Sequence, residues 1–448
     1  MPKHSCAKCD GGDITRRGFM QVGSLGLLGL GLGQYLQVSE ALANSGVVVG
    51  KPKANACILL WLEGGPSQMD TWDPKPKNSG FKPIATNVDG IQISEILPGT
   101  AKHMDKLSLI RSMHTEESNH PQGTFYAMTG HRPNVAMKFP SIGSIICNET
   151  APRNELPQHV LVPTPWEADF FDYRDAFGGG FLGKHDAMVM PDPSKEDFSV
   201  PDLVLPKSVT SDVIQHRQSF MNVVDQHFRR KEKLAEFGMM DDLNQKALSM
   251  LMSPEVKKAF DLSEEDEKTK DAYGRNRVGQ SVLLARRLVE RGCRFVTAAG
   301  YSHGQWDTHG DNDQRLRDEL APTLDRTLPT LLQDLDQRGL LETTVVLVMG
   351  EFGRTPDINP GHGRDHYPEC WSLAIGGGGI SGGQVIGASD ERGAHVTERM
   401  TSMGDVFATI YKAFGIDFTK TYMTPIGRPI YLANALGDVQ GQPITELI

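Results

Sequence analysis

One stretch limits what this chain can become more than any other. Val345–Met349 is an uncharged, β-branched run, the composition of a strand buried on both faces. It stops at Gly350, and the sixteen residues from Glu351 to His366 then carry seven ionisable groups, three glycines and two prolines. Glu351, Arg354, Asp357, His362, Arg364, Asp365 and His366 are the seven. No regular helix tolerates that mixture, so the segment is predicted to be a long loop at the carboxyl end of a strand. In open parallel α/β sheets ligands bind at that end. Burying so many charges without partners would cost several kcal/mol each, so they must pair, face water or meet a ligand.

The alternation of strand-like and helix-like segments along the chain supports this placement. Ala56–Leu62, Leu107–Arg111, Arg294–Ala299, Thr343–Gly350 and Trp371–Ile375 read as strands. Helices are expected over Gln122–Met128, Ser141–Asn148, Gln314–Arg338 and Ser402–Phe414, with a serine cap on the second and a glycine end at Gly415 on the last. The predicted fold class is α/β, a mainly parallel central sheet with helices on both faces. The glycine-rich 376–383 stretch lacks the Gly-Lys-Ser/Thr ending of a phosphate loop and reads as a hairpin or flap. Leu262–Lys270, a charge run, reads as a solvated helical face. At 448 residues one elaborated α/β domain accommodates the whole. A net charge of −10 with no lysine- or arginine-rich run argues against nucleic acid as a partner.

The first 43 residues read as an address. Thr15-Arg16-Arg17-Gly18-Phe19-Met20 is a twin-arginine pattern, Gly18–Ser39 carries no charge, and Ala41-Leu42-Ala43 offers a small-x-small cleavage site. A membrane anchor is the competing reading, but the glycines in the apolar run and the missing basic stop-transfer segment favour a cleaved export signal. The expectation is a periplasmic or extracellular protein without stable membrane insertion after cleavage. The mature part, 44–448, then forms a single domain with an inserted loop region over about 151–210 and a helical region over about 211–292. Cys57, Cys147, Cys293 and Cys370 are widely spaced and read as small buried hydrophobes rather than a disulfide framework.

Four predicted strand ends carry reactive groups: Glu63 after the first, the 112–121 segment with His114 and His120 after the second, Asp307 with His309, and Glu351 through His366. In a doubly wound sheet such ends share one edge, so groups scattered in sequence can converge. Carboxylates together with imidazoles suit a divalent metal such as Zn²⁺ or Mn²⁺.

The order of these pieces resembles domain-of-unknown-function family 1501, a family of exported bacterial proteins grouped with the alkaline phosphatase and sulfatase superfamily. The matching segments are Gly64–Lys75 (GGPSQMDTWDPK), Trp306–Gly310 (WDTHG), Gly350–Pro356 (GEFGRTP), Gly363–His366 (GRDH) and Asp405–Gly415 (DVFATIYKAFG). They run from about Ala54 to Asp417. The resemblance implies a metal-dependent hydrolase of phosphate or sulfate esters using Zn, Mn, Ca or Mg. By position, Glu63 matches the acidic ligand after the first strand, Asp307 and His309 the middle ligand pair, Glu351 the acid after the late strand, and His366 the final histidine. Two departures stand out: Phe352 cannot ligate, and His120 or Asn119 occupies the place of the covalent nucleophile, with Ser118 nearby. A surviving mechanism has a metal activate water, with His120 or His114 as general base and Arg354 or Arg364 holding the ester anion by paired hydrogen bonds. Its substrate would be an anionic small molecule or glycan. The other reading, from a different class, is an exported binding protein for anionic glycans that keeps the hydrolase fold without catalysis.

Overall fold

The computed structural model of the protein describes residues 52–164, 174–200, 249–250, 252–301 and 304–448. The proposed export signal, residues 165–173 and 201–210 of the expected insertion, and residues 211–248 and 251 of the expected helical region lie outside the described residues.

Eight strands of the described chain form the central sheet: β1 (Ala56–Trp61), β2 (Ser108–Met113), β3 (His159–Val162), β4 (Met188–Val189), β5 (Phe295–Ala298), β6 (Thr344–Met349), β7 (Trp371–Gly377) and β8 (Val385–Ile386). Their spatial order is β8-β2-β7-β6-β1-β5-β3-β4. β1 lies between β5 and β6, parallel to both, with Cys57 opposite Phe295 on one side and Val345 on the other. β7 runs antiparallel to β2 and β6. That reversal matters: the amino-terminal end of β7, where His366 arrives, lies at the edge where β1, β5 and β6 end.

Strand alternation sorts the core into two layers. Ile58, Leu60, Val346 and Val348 face helices α3 (Arg277–Glu290) and α4 (Ala321–Gln337), through residues such as Leu283, Leu284, Leu324 and Leu331. Leu59, Trp61, Leu347 and Met349 face α1 (His120–Thr129), α2 (Ile142–Glu149) and α5 (Met403–Ala413), through Phe125, Ile145 and Phe407. β1 and β6 are buried along their whole length, as their unbroken apolar runs require. Ser141 caps α2 by accepting from the Ser144 amide, and Ser402 with Asp405 forms a capping box on α5.

His159–Val162, within the region expected as an insertion, joins the main sheet beside β5. Glu265, in the run read as a solvated face, is buried between Arg286 and Arg287 of α3. The four described cysteines are buried and free of disulfides.

Candidate metal centre

The carboxyl edge of the sheet brings four loops together. Glu63-Gly64-Gly65 follows β1, Asp307 and His309 follow β5, Glu351 and Arg354 follow β6, and α1 opens at His120. Gly64, at φ +112°, lies so close to the Asp307 loop that an added Cβ would sit 2.3 Å from the Asp307 amide nitrogen. Only glycine permits that approach. Gly353–Arg354 pairs with His366–Tyr367 as a short antiparallel ribbon, which folds the long charged loop back over the edge.

His120, Asp307 and His366 offer ligand atoms that all lie within 4.8 Å of one another. His120 Nε2 is 3.3 Å from Asp307 Oδ2, and His366 Nε2 is 3.2 Å from Asp307 Oδ1. His309 Nε2 adjoins them, 3.2 Å from Asp307 Oδ1 and 3.0 Å from His366 Nε2.

The opposite nitrogen of each ring faces an oxygen. His120 Nδ1 is 2.5 Å from Glu351 Oε1, His366 Nδ1 is 2.6 Å from the Ser118 carbonyl, and His309 Nδ1 is 2.7 Å from Asp365 Oδ1. Carbonyls and carboxylates accept, so each Nδ1 carries the hydrogen. The three Nε2 atoms of neutral rings are then lone pairs, all turned towards the Asp307 carboxylate. Acceptors do not converge at 3.0–3.3 Å without positive charge among them; protons or a metal cation must supply it. The protonated alternative leaves its mark on His120. Burial lowers its pKa, but the bonds to Asp307 and Glu351 outweigh this and lift it to about 9. Burial likewise works against the charged form of Asp307, yet its contacts with His120, His366 and Arg354 hold it far below the usual carboxylate range. One carboxylate and two imidazoles, each ring fixed through its far nitrogen, form a donor set that fits a divalent cation.

Other residues expected at the site have different tasks here. The Glu351 carboxylate takes the Gly64 amide at 3.0 Å as well as His120, so it stands behind the imidazole instead of among the ligand atoms. Arg354 is fully buried. It donates to the carbonyls of Gly64, Gly65 and Arg364 and reaches Asp307 Oδ1 at 2.5 Å. Arg364, also fully buried, holds Asp70 Oδ2 at 2.8 Å and donates to the carbonyls of Thr355, Pro356 and Asn78. Both guanidiniums, expected to hold an ester anion, spend these hydrogen bonds on the scaffold. His120, expected as a general base, is one of the three residues whose atoms could hold an ion. His114 Nδ1 lies 2.9 Å from the Glu369 carbonyl. Glu63 is buried at the end of β1, its carbonyl accepting from the Trp306 amide at 2.9 Å. Phe352 packs its buried ring against His120 and His366, with centroids 5.1 and 4.8 Å away.

Sequence reasoning missed three contributions: the Ser118 carbonyl, the Asp365 carboxylate and the buried Asp70–Arg364 pair. Asp365 beside His366 was a visible signal. A backbone carbonyl as the partner of a ring nitrogen leaves none.

Among solved structures, the lipoteichoic acid synthase LtaP from Listeria monocytogenes overlays at a TM-score of 0.41 and 11% identity, covering 88% of this chain and 79% of that one. A protein in the alkaline phosphatase superfamily from Vibrio parahaemolyticus gives 0.41 and 12%, covering 82% and 68%. The PsFucS1 sulfatase from Pseudoalteromonas sp. gives 0.38 and 16%, covering 92% and 77%. These overlays are loose, and the chemistry of the centre rests on its own side chains. A search of curated proteins returned no match. The family model described as "Protein of unknown function (DUF1501)" matches residues 54–448. With that match running from the residues before β1 to the last residue of the sequence, the chain belongs to the DUF1501 family.

Proposed function

We propose that this protein is an exported, metal-dependent hydrolase of phosphate or sulfate esters. The observation that carries the reading is the convergence of three imidazole lone pairs on the Asp307 carboxylate, a donor set that requires positive charge at its centre. When bound, a divalent cation would supply a Lewis acid for an ester oxygen and make water more acidic. His120, Asp307 and His366 would hold it, with His309 as a further donor on the more exposed side. Glu351, the Ser118 carbonyl and Asp365 keep the three rings in the tautomer that ligation needs. Phe352 keeps water from beneath the rings. His114, with its Nδ1 hydrogen on the Glu369 carbonyl, presents an unprotonated Nε2 when neutral and is the candidate general base. No covalent step through Ser118 is required.

The second reading, a non-catalytic receptor for anionic glycans, draws on the commitment of Arg354 and Arg364 to the scaffold. A hydrolase would ordinarily use such groups on the anion.

Elemental analysis of the purified protein, after separate incubation with Zn²⁺, Mn²⁺, Ca²⁺ and Mg²⁺ and removal of excess, tests the centre. We expect about one tightly held ion, lost in His366→Ala and Asp307→Asn. Hydrolysis of a panel of phosphate and sulfate esters should depend on that ion and persist in Ser118→Ala. No retained metal from any of the four salts would overturn the centre; retained metal without hydrolysis of any ester would favour the receptor.

A further inference from the structure

A cavity of about 510 Å³ opens at the far end of α1, between the loop that follows this helix and the C-terminal hairpins. His120 begins α1, and the lining residues Tyr126 and Gly130 lie six and ten residues on, so the cavity sits roughly 9–15 Å along the helix from the centre. Its volume falls in the range of small-molecule sites.

The floor is buried and aromatic. His131 stacks on Phe139 with ring centroids 4.0 Å apart and an interplanar angle of 7°. Burial pushes the His131 imidazole down to about 4, the nearby Asp438 and Arg428 being smaller influences, so the ring is neutral and offers one donor and one acceptor. Tyr126 is 4% exposed, and its hydroxyl has no hydrogen-bond partner among the described residues. Leaving a buried hydroxyl unmatched costs about 1–3 kcal/mol, which a ligand hydroxyl would recover once the side chains covering it shift.

The rim is charged but balanced. Arg132 pairs with Glu116 and lies 3.0 Å from Glu117, while Arg428 lies 3.1 Å from Asp438. An anion finds no unmatched cation there, whereas paired guanidiniums and carboxylates still offer N–H groups and lone pairs to neutral hydroxyls. The half-buried Tyr431 ring among these neutral donors and acceptors suits a ligand ring that is apolar on its face and hydroxylated at its edge.

We propose that this cavity binds a neutral sugar unit of a glycan whose ester-bearing unit reaches the metal centre. The cavity is a subsite that fixes the polymer, away from the reacting bond. It rests on the hydrolase reading for what the subsite serves, but the binding itself does not need the metal.

The test uses the full-length exported protein and an array of oligosaccharides built from neutral hexoses and deoxyhexoses, with and without sulfate or phosphate esters. Tyr431→Ala and Arg428→Ala alter half-buried and exposed lining positions, and Tyr126→Phe removes one hydroxyl without emptying the floor. The expected result is retention of at least one unesterified oligosaccharide, weakened tenfold or more in Tyr431→Ala and Tyr126→Phe, with bound metal unchanged. Failure to retain any unesterified oligosaccharide, or equal retention by wild type and the three variants, overturns the subsite. Metal content in the same samples separates the two claims: a protein that holds sugar but no metal loses the hydrolase reading and keeps the subsite.

Discussion

Glu351 decides which lone pair of His120 faces Asp307. Its carboxylate takes the Nδ1 hydrogen, and the Gly64 amide holds the carboxylate in turn. Glu351→Gln keeps shape and can still accept from Gly64, but its amide nitrogen turned towards His120 would favour the other tautomer. We expect metal affinity to fall about 10- to 100-fold with the melting temperature little changed, the usual size of an effect one shell behind a ligand. Titration with Zn²⁺ alongside thermal unfolding reads both quantities; unchanged affinity would return Glu351 to a purely structural role. Arg354 reaches the Asp307 carboxylate from the other side of the site. Arg354→Lys keeps the charge and loses the fork that spans the Gly64, Gly65 and Arg364 carbonyls. With acceptors left unmet at about 1–3 kcal/mol each, the variant should lose both stability and metal affinity. An unaltered melting temperature would contradict the scaffold role.

The same distinction between pairing and solvation runs through α3. Arg286 reaches Glu265 at 2.7 Å, Glu290 at 2.7 Å and Asp334 of α4 at 2.8 Å, and Arg287 pairs with Glu265 as well. Arg286 keeps Glu290 and Asp334, but the buried Arg287 loses its nearest carboxylate, so Glu265→Gln should cost about 3 kcal/mol at neutral pH. Burial raises the Glu265 pKa, but its bonds to Arg286 and Arg287 outweigh that and hold it below the usual carboxylate value. A carboxyl depressed in the folded state stabilises above its unfolded pKa of roughly 4.3, and the contribution is lost as pH falls through the folded value. The gap between wild type and Glu265→Gln in urea unfolding should therefore be constant from pH 7 to about 5 and narrow below about 4; a gap that widens in acid would refute the assignment. This network also marks what sequence reading can reach at this scale. The cap at Ser141 and the stop at Gly415 are local signals, and α2 and α5 were legible within a residue or two, whereas α3 was expected only within a helical region over about 211–292. Glu265 looked solvated because its two arginines stand 21 and 22 residues away, and no local pattern announces a partner at that distance.

Across the whole molecule, strand ends were legible and side-chain roles were not. Buried apolar runs located β1, β5 and β6, and the sheet rule put Asp307, Glu351 and His366 at one edge. Whether each carboxylate would ligate or orient depended on loop geometry near Gly64, which composition does not encode. Strand order bears on export as well. β1 is flanked by β5 and β6, whose residues Phe295 and Val345 stand opposite Cys57. The middle of the sheet therefore cannot close until most of the chain has been made, and such non-local pairing is slow. A chain threaded unfolded across a membrane would have to complete this sheet on the far side. The twin-arginine pattern at Arg16 and Arg17 would instead deliver the closed sheet with its centre filled. The expected outcome is mature protein beginning at or near Asn44 in the native envelope, carrying metal. Arg16→Lys with Arg17→Lys should leave full-length precursor in the cytoplasm, already resistant to protease and already metal-bound. N-terminal sequencing, protease resistance and elemental analysis of both fractions decide it. An intact N-terminus embedded in the membrane would overturn the cleaved signal, and a protease-sensitive precursor without metal would mean that the sheet closes only after crossing.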